Sequence, residues 1–123
     1  MVFGVRVNRA DKLSRRVCSR LGRFVMKLVL GMDFADPGCG IRVFRRELIE
    51  VLPDFDGMHR FFPYLAAGAG FKVKEMPVRH HPRRSGRSKY GFWNRLFPWV
   101  RGLVLTRRFI RQQRARAKSK CVL

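Results

Sequence analysis

Asp36-Pro37-Gly38-Cys39-Gly40-Ile41-Arg42-Val43-Phe44-Arg45-Arg46-Glu47 divides the 123-residue chain into two patterned halves. One proline and two glycines within five residues break any regular element, so residues 36–40 read as a loop. Ile41-Arg42-Val43-Phe44 then fits a short strand, and Arg45 to Leu52 a short helix stopped before Pro53. Upstream, Val2 to Val7 alternates as a strand, and Asp11 is placed to cap a helix running to about Leu30. In that helix Leu13, Val17, Leu21, Phe24, Val25 and Leu28 recur at spacings of three and four, a stripe expected to enter the core. Lys12, Arg16, Arg20, Arg23 and Lys27 recur on a second face, which calls for an anionic neighbour such as a membrane surface. Downstream, Arg60 to Ala67 reads as a helix with Pro63 in its first turn, ended by Gly68 and Gly70. Phe71 to Val78 alternates as an edge strand, because Pro77 cannot donate to a central ladder.

Charge narrows the partners. The chain has 28 Lys and Arg against 8 Asp and Glu, a formal net charge of +20, and every acid lies at or before Glu75. Residues 76–123 carry 14 Lys and Arg and no carboxylate, so local ion pairs cannot neutralise them. Such a segment needs an external anion: nucleic acid, an anionic bilayer or a phosphorylated substrate. A hydrophobic content of 46% argues against a disordered basic tail as the whole molecule. No uninterrupted apolar run approaches the roughly 18–20 residues that span a bilayer. Cys18, Cys39 and Cys121 are odd in number and make no Cys-x-x-Cys pair, which points to a reducing, cytosolic compartment.

Two stretches carry chemistry. Arg79-His80-His81-Pro82-Arg83-Arg84-Ser85-Gly86-Arg87-Ser88-Lys89-Tyr90-Gly91 combines Arg forks, a Lys point charge and glycines that let backbone N–H groups approach an anion. That composition suits a diphosphate or lipid phosphate, and equally a nucleic-acid backbone. The following segment, Phe92 to Val104, interleaves Phe92, Trp93, Phe97 and Trp99 with Arg95 and Arg101, and Pro98 should kink or divide it. The pattern fits an interfacial helix and a core helix alike. Residues 107–120 read as a frayed basic tail. Asp54-Phe55-Asp56 is formally Asp-x-Asp but follows Leu52-Pro53 in a loop, so a helix-flanking turn is preferred to a metal site. His80-His81 lacks a suitably spaced third ligand. No metal site is expected in this chain.

Five stretches in order resemble one family: residues 5–11, Asp36 to Glu47, Gly57-Met58-His59-Arg60-Phe61-Phe62-Pro63, residues 77–83, and Gly86 to Leu96. Together they look like the C-terminal half of a family 2 glycosyltransferase, of the dolichyl-phosphate mannosyltransferase and undecaprenyl-phosphate glycosyltransferase type. The resemblance implies an α/β fold, here a partial GT-A (Rossmann-like α/β/α) domain over residues 1–91. An interfacial helix at 92–106 and a basic tail at 107–123 would follow. It implies an inverting hexosyltransferase that moves a hexose from a nucleotide sugar to a polyprenyl phosphate. Arg83, Arg87, Ser88 and Lys89 would hold the donor diphosphate and acceptor phosphate. Asp36 would act on the acceptor side, orienting it or serving as base, and Arg42 would match the family's conserved arginine. Phe92, Trp93, Phe97 and Trp99 would meet the membrane interface.

The family's nucleotide-binding turn and strand-terminal Asp-x-Asp, which holds Mg²⁺ or Mn²⁺, have no counterpart in this chain. The expectation is a truncated product, fragment or split piece, inactive alone, whose partner would be a missing N-terminal half. It would sit peripherally at the cytoplasmic face of the cell membrane. A basic nucleic-acid-binding protein of ribosomal type is the alternative, disfavoured by the absence of any nucleic-acid fold signature. A non-enzymatic membrane-peripheral module is the third.

Overall fold

Val2–Val7 forms the central strand, β1, of a three-stranded sheet ordered β2-β1-β3. The computed structural model describes residues 1–7, 13–79 and 93–121. Among them the chain continues from β1 through α1 (Leu13–Leu30), β2 (Arg42–Val43) and α2 (Glu47–Val51). A 3-10 turn at Met58–Arg60 precedes α3 (Phe62–Gly68), β3 (Lys74–Arg79) and α4 (Trp93–Cys121). β2 pairs antiparallel to β1, with Val2 opposite Val43. β3 pairs parallel to β1 along six positions, from Val2 opposite Lys74 to Val7 opposite Arg79. Mixed α/β architecture is thus present, and Pro77 lies on an edge strand as its missing N–H requires.

One face of β1 supplies Phe3, which is buried and stands edge-on to Phe34 with ring centroids 5.6 Å apart. Phe34 in turn meets Tyr64 of α3 at 5.0 Å. Tyr64 belongs to the main core, where Met26 and Leu30 of α1 meet Phe61, Leu65 of α3, and Leu103 and Ile110 of α4. A second cluster joins Leu48 of α2 to Phe62 and Ala66. Helices α3 and α4 approach closely because two glycines allow it. A Cβ on Gly102 would lie 2.5 Å from the Phe61 ring, and one on Gly68 would lie 2.6 Å from Ile110.

Three expectations are corrected. The apolar stripe of α1 does not enter the core: Leu13, Val17, Leu21, Phe24 and Leu28 are exposed, and only Val25 is half-buried. The core is filled instead from the opposite face by Met26 and Leu30, with Val29 beside them. Periodicity had identified an apolar face without saying which apolar face meets the rest of the chain. Residues 107–121 are not frayed but continue α4, since Arg, Gln, Ala and Lys are good helix formers and Ile110 anchors the helix on α3. Pro98 does not divide the helix: it lies near the N-terminal end, where it interrupts only one early hydrogen bond.

Candidate anion-binding site

The loop at residues 31–41 is fixed from several sides. Arg6, near the carboxyl end of β1, forks onto Asp36: Nε donates to Oδ2 at 2.6 Å and Nη2 to Oδ1 at 2.8 Å. The Arg6 backbone N–H also donates to Oδ2, at 3.3 Å. Asp36 is 5% exposed, and a buried carboxylate requires such paired donors. Arg42 secures the other side, donating from Nε to the Cys39 carbonyl at 3.0 Å and from Nη2 to the Pro37 carbonyl at 3.2 Å. Its guanidinium lies 5.4 Å from the Phe62 ring centroid, a cation–π distance. Burial pushes the Arg42 pKa down from its usual value, though not far enough to discharge an arginine.

Two more anchors hold the approach to this loop. Glu75 of β3 accepts the Ala35 N–H at 2.6 Å. Asp33 accepts from Arg23 Nε at 2.6 Å and lies 3.3 Å from Lys27 Nζ, tying the loop to the last turns of α1. The Arg23 hydrogen bond holds the Asp33 carboxyl below its usual pKa, with Lys27 assisting. Gly4 donates its N–H to the Ile41 carbonyl at 2.9 Å, closing the loop against β1. A Cβ on Gly4 would lie 2.9 Å from Val78 and 3.1 Å from Cys39 Sγ, so strand and loop meet there at backbone distance.

The parallel pairing gives the site its direction. Val7 stands opposite Arg79, so β1 and β3 end side by side, one residue beyond Arg6. The crevice beyond the carboxyl ends of parallel strands is where open α/β sheets bind ligands.

Of the residues singled out from sequence, Asp36 lies in the 31–41 loop, gripped by Arg6, and Arg42 of β2 donates to carbonyls of the same loop. Arg83, Arg87, Ser88, Lys89 and Phe92 lie outside the described residues, as does the Trp93 side chain. Phe97 is 77% exposed on α4. Trp99 is half-buried, packs against the main core and faces Gly22 of α1. Among the described residues no group of three His, Cys, Asp or Glu side chains is placed to hold a metal ion. Sequence reasoning missed Arg6 and Glu75. In a chain so rich in cations, a buried acid such as Asp36 implies a dedicated arginine, and Arg6 is the lone charge between Val5 and Val7.

No protein-family profile matches the chain, and no solved structure does. Curated proteins do. The undecaprenyl-phosphate 4-deoxy-4-formamido-L-arabinose transferase of Shewanella sediminis is 36% identical over 90 residues, covering 73% of this chain and 27% of that relative. The dodecaprenyl-phosphate galacturonate synthase of Rhizobium johnstonii is 32% identical over 114 residues, covering 90% of this chain and 33% of that relative. An undecaprenyl-phosphate 4-deoxy-4-formamido-L-arabinose transferase of Yersinia pestis is 34% identical over 90 residues, covering 73% of this chain and 28% of that relative. The chain therefore spans about a third of the length of these relatives. By sequence it groups with the polyprenyl-phosphate sugar transferases, as the counterpart of one part of them.

Proposed function

We propose that this chain supplies the acceptor-phosphate side of a sugar transferase acting on a polyprenyl phosphate, within a partial GT-A domain. The observation that carries the reading is the shared strand end: the Arg6–Asp36 pair and the start of the Arg79–Gly91 segment are neighbours across the β1–β3 ladder. The names of the relatives supply the substrate class.

A lipid phosphate, with a second pKa of about 6, is largely ionised at neutral pH. It needs positioning more than deprotonation. Arg83, Arg87, Ser88 and Lys89 would hold it beside a departing diphosphate, offsetting the repulsion between two anions. Asp36, whose two oxygens are engaged by Arg6, orients that arginine rather than taking a proton. Arg42 keeps the loop carbonyls turned away from the incoming phosphate. The donor is a nucleotide sugar, transferred with inversion as in family 2 enzymes. Among the described residues no group of carboxylates is placed to hold a divalent cation for its diphosphate. The chain works at the cytoplasmic face of the membrane that contains its acceptor. No helix among the described residues is long and apolar enough to cross a membrane.

The test is binding of undecaprenyl phosphate in neutral detergent micelles to the parent chain and to Arg87→Ala/Lys89→Ala. A loss of affinity of about tenfold or more is expected for the pair, as for removal of two charge-assisted contacts. Unchanged affinity contradicts the reading.

A further inference from the structure

We infer that Glu75 is a positioning residue of the acceptor side: by holding the Ala35 N–H it fixes the backbone that presents Asp36 to Arg6. The inference deepens the acceptor reading above and rests on it for the ligand, though not for the geometry. Four successive residues of the loop are each tied to other elements. Asp33 is held from α1 by Arg23 and Lys27, at 2.6 and 3.3 Å. The Phe34 ring stands edge-on between Phe3 of β1 and Tyr64 of α3, with centroids 5.6 and 5.0 Å away. Ala35 donates its N–H to Glu75 Oε1 of β3 at 2.6 Å. Asp36 is forked by Arg6 of β1. Just beyond it, the Pro37 carbonyl accepts from Arg42 Nη2 at 3.2 Å. Both backbone neighbours of the buried carboxylate are therefore held, and Glu75 is the contact on the amino-terminal side.

The register shows why this falls to Glu75. It stands opposite Phe3 in the parallel ladder, so both side chains leave the same face of the sheet, the face on which Phe34 packs. Pro77 and Arg79, opposite Val5 and Val7, share that face of β3. A backbone N–H needs an acceptor, and neither a proline ring nor a guanidinium supplies one. Glu75 does, and in a chain with 28 Lys and Arg its carboxylate accepts from a backbone N–H. Both Glu75 and Ala35 are exposed, so water can replace the bond and its weight in global stability is small. What the bond sets is where the loop rests. A bidentate arginine–carboxylate pair is geometrically demanding, and releasing the peptide before Asp36 lets its carboxylate drift from the Arg6 fork. Sites lose function when their supporting contacts loosen by fractions of an ångström. Glu75 itself, an anion, would repel a phosphate; it acts through Ala35 and Asp36 on Arg6.

The experiment compares the parent chain with Glu75→Ala, Glu75→Gln and Glu75→Asp. Proton–nitrogen NMR reads the Ala35 amide and the Arg6 Nε–H, and undecaprenyl phosphate binding is then measured in neutral detergent micelles. In Glu75→Ala the Ala35 amide should exchange about tenfold or more faster, as for loss of one charge-assisted bond. The Arg6 Nε–H, held by Asp36, should exchange faster as well. Glu75→Gln keeps an acceptor oxygen and should restore both signals in large part. Glu75→Asp keeps the charge but is one methylene shorter, so it should behave like the alanine variant. Acceptor affinity should fall about threefold to tenfold in the Ala and Asp variants and recover in Gln, with circular dichroism unchanged. Should Glu75→Ala lose helicity, Glu75→Asp carries the same reading. An Arg6 Nε–H indifferent to the Ala and Asp variants overturns the inference, because Glu75 would then make an ordinary surface bond. So does an acceptor affinity that is the same in parent and variants. A parent chain that fails to bind undecaprenyl phosphate contradicts the acceptor reading instead, and the Arg6 signal alone then decides this one.

Discussion

Arg6 grips Asp36 across thirty residues of sequence, with both guanidinium donors on both carboxylate oxygens at 2.6 and 2.8 Å. The pair ties β1 to the loop at residues 31–41. Of the two roles expected for Asp36, orienting group or base, the engagement of both its oxygens by Arg6 favours the first.

Removing the carboxylate should therefore act on stability first. Asp36→Ala leaves Arg6 without its forked acceptor and opens a buried site. Breaking a fully buried pair costs roughly 3–5 kcal/mol. The Arg6 side chain keeps 26% of its surface in solvent, so a loss of about 2 kcal/mol is expected from urea denaturation. A loss under about 0.5 kcal/mol would place the pair among ordinary surface bridges.

Gly102→Ala sets two effects against each other. Alanine gains about 1 kcal/mol of helix propensity over glycine. Its Cβ would stand 2.5 Å from the Phe61 ring in the tightest part of the α3–α4 contact. Overpacking of that kind costs about 1–3 kcal/mol, so a net loss of stability is expected, read as a lower urea midpoint. A rise in the midpoint would mean that α3 and α4 separate easily.

Thr106 is fully buried on α4, and its hydroxyl has no hydrogen-bond partner among the described residues. Thr106→Val keeps the shape and removes an unsatisfied polar group, which should stabilise the chain by about 1 kcal/mol. A destabilised variant would reveal a partner for that hydroxyl.

The Asp33 carboxyl should titrate below its ordinary value because Arg23 and Lys27 stabilise the charged form. A lowered folded pKa means that this contribution is present above the unfolded pKa and is lost as pH falls through the folded one. Carboxyl carbon NMR should follow that titration, and Arg23→Gln should move it up toward the unperturbed carboxylate. No upward movement would remove Arg23 as the cause.

Much of the fold was legible because local rules decided it. Val2–Val7 alternates, Pro53 stops α2, Pro63 sits in the first turn of α3, and Pro77 forces β3 to an edge. The α1 face was misread because a stripe of Leu, Val and Phe looks the same whether it meets protein or lipid. Here the core took Met26 and Leu30 instead. The end of α4 was misread as frayed because its scarce apolar positions hid the buried Ile110. Asp36 and Arg42 were singled out from sequence. Arg6 and Glu75 were not, because their contacts to Asp36 and Ala35 span 30 and 40 residues and leave no local spacing.

In the proposed function the chain recognises a phosphate carried on a polyprenyl chain. Equilibrium binding in neutral detergent micelles should therefore be measured side by side for undecaprenyl phosphate, phosphate-free undecaprenol and a single-stranded RNA, at low and high salt. The expected result is binding of undecaprenyl phosphate about tenfold or more tighter than undecaprenol, a difference of about 1.4 kcal/mol, that persists when salt has released the RNA. Equal affinity for the two lipids, or tight RNA binding with a steep salt dependence and no lipid selectivity, would contradict it.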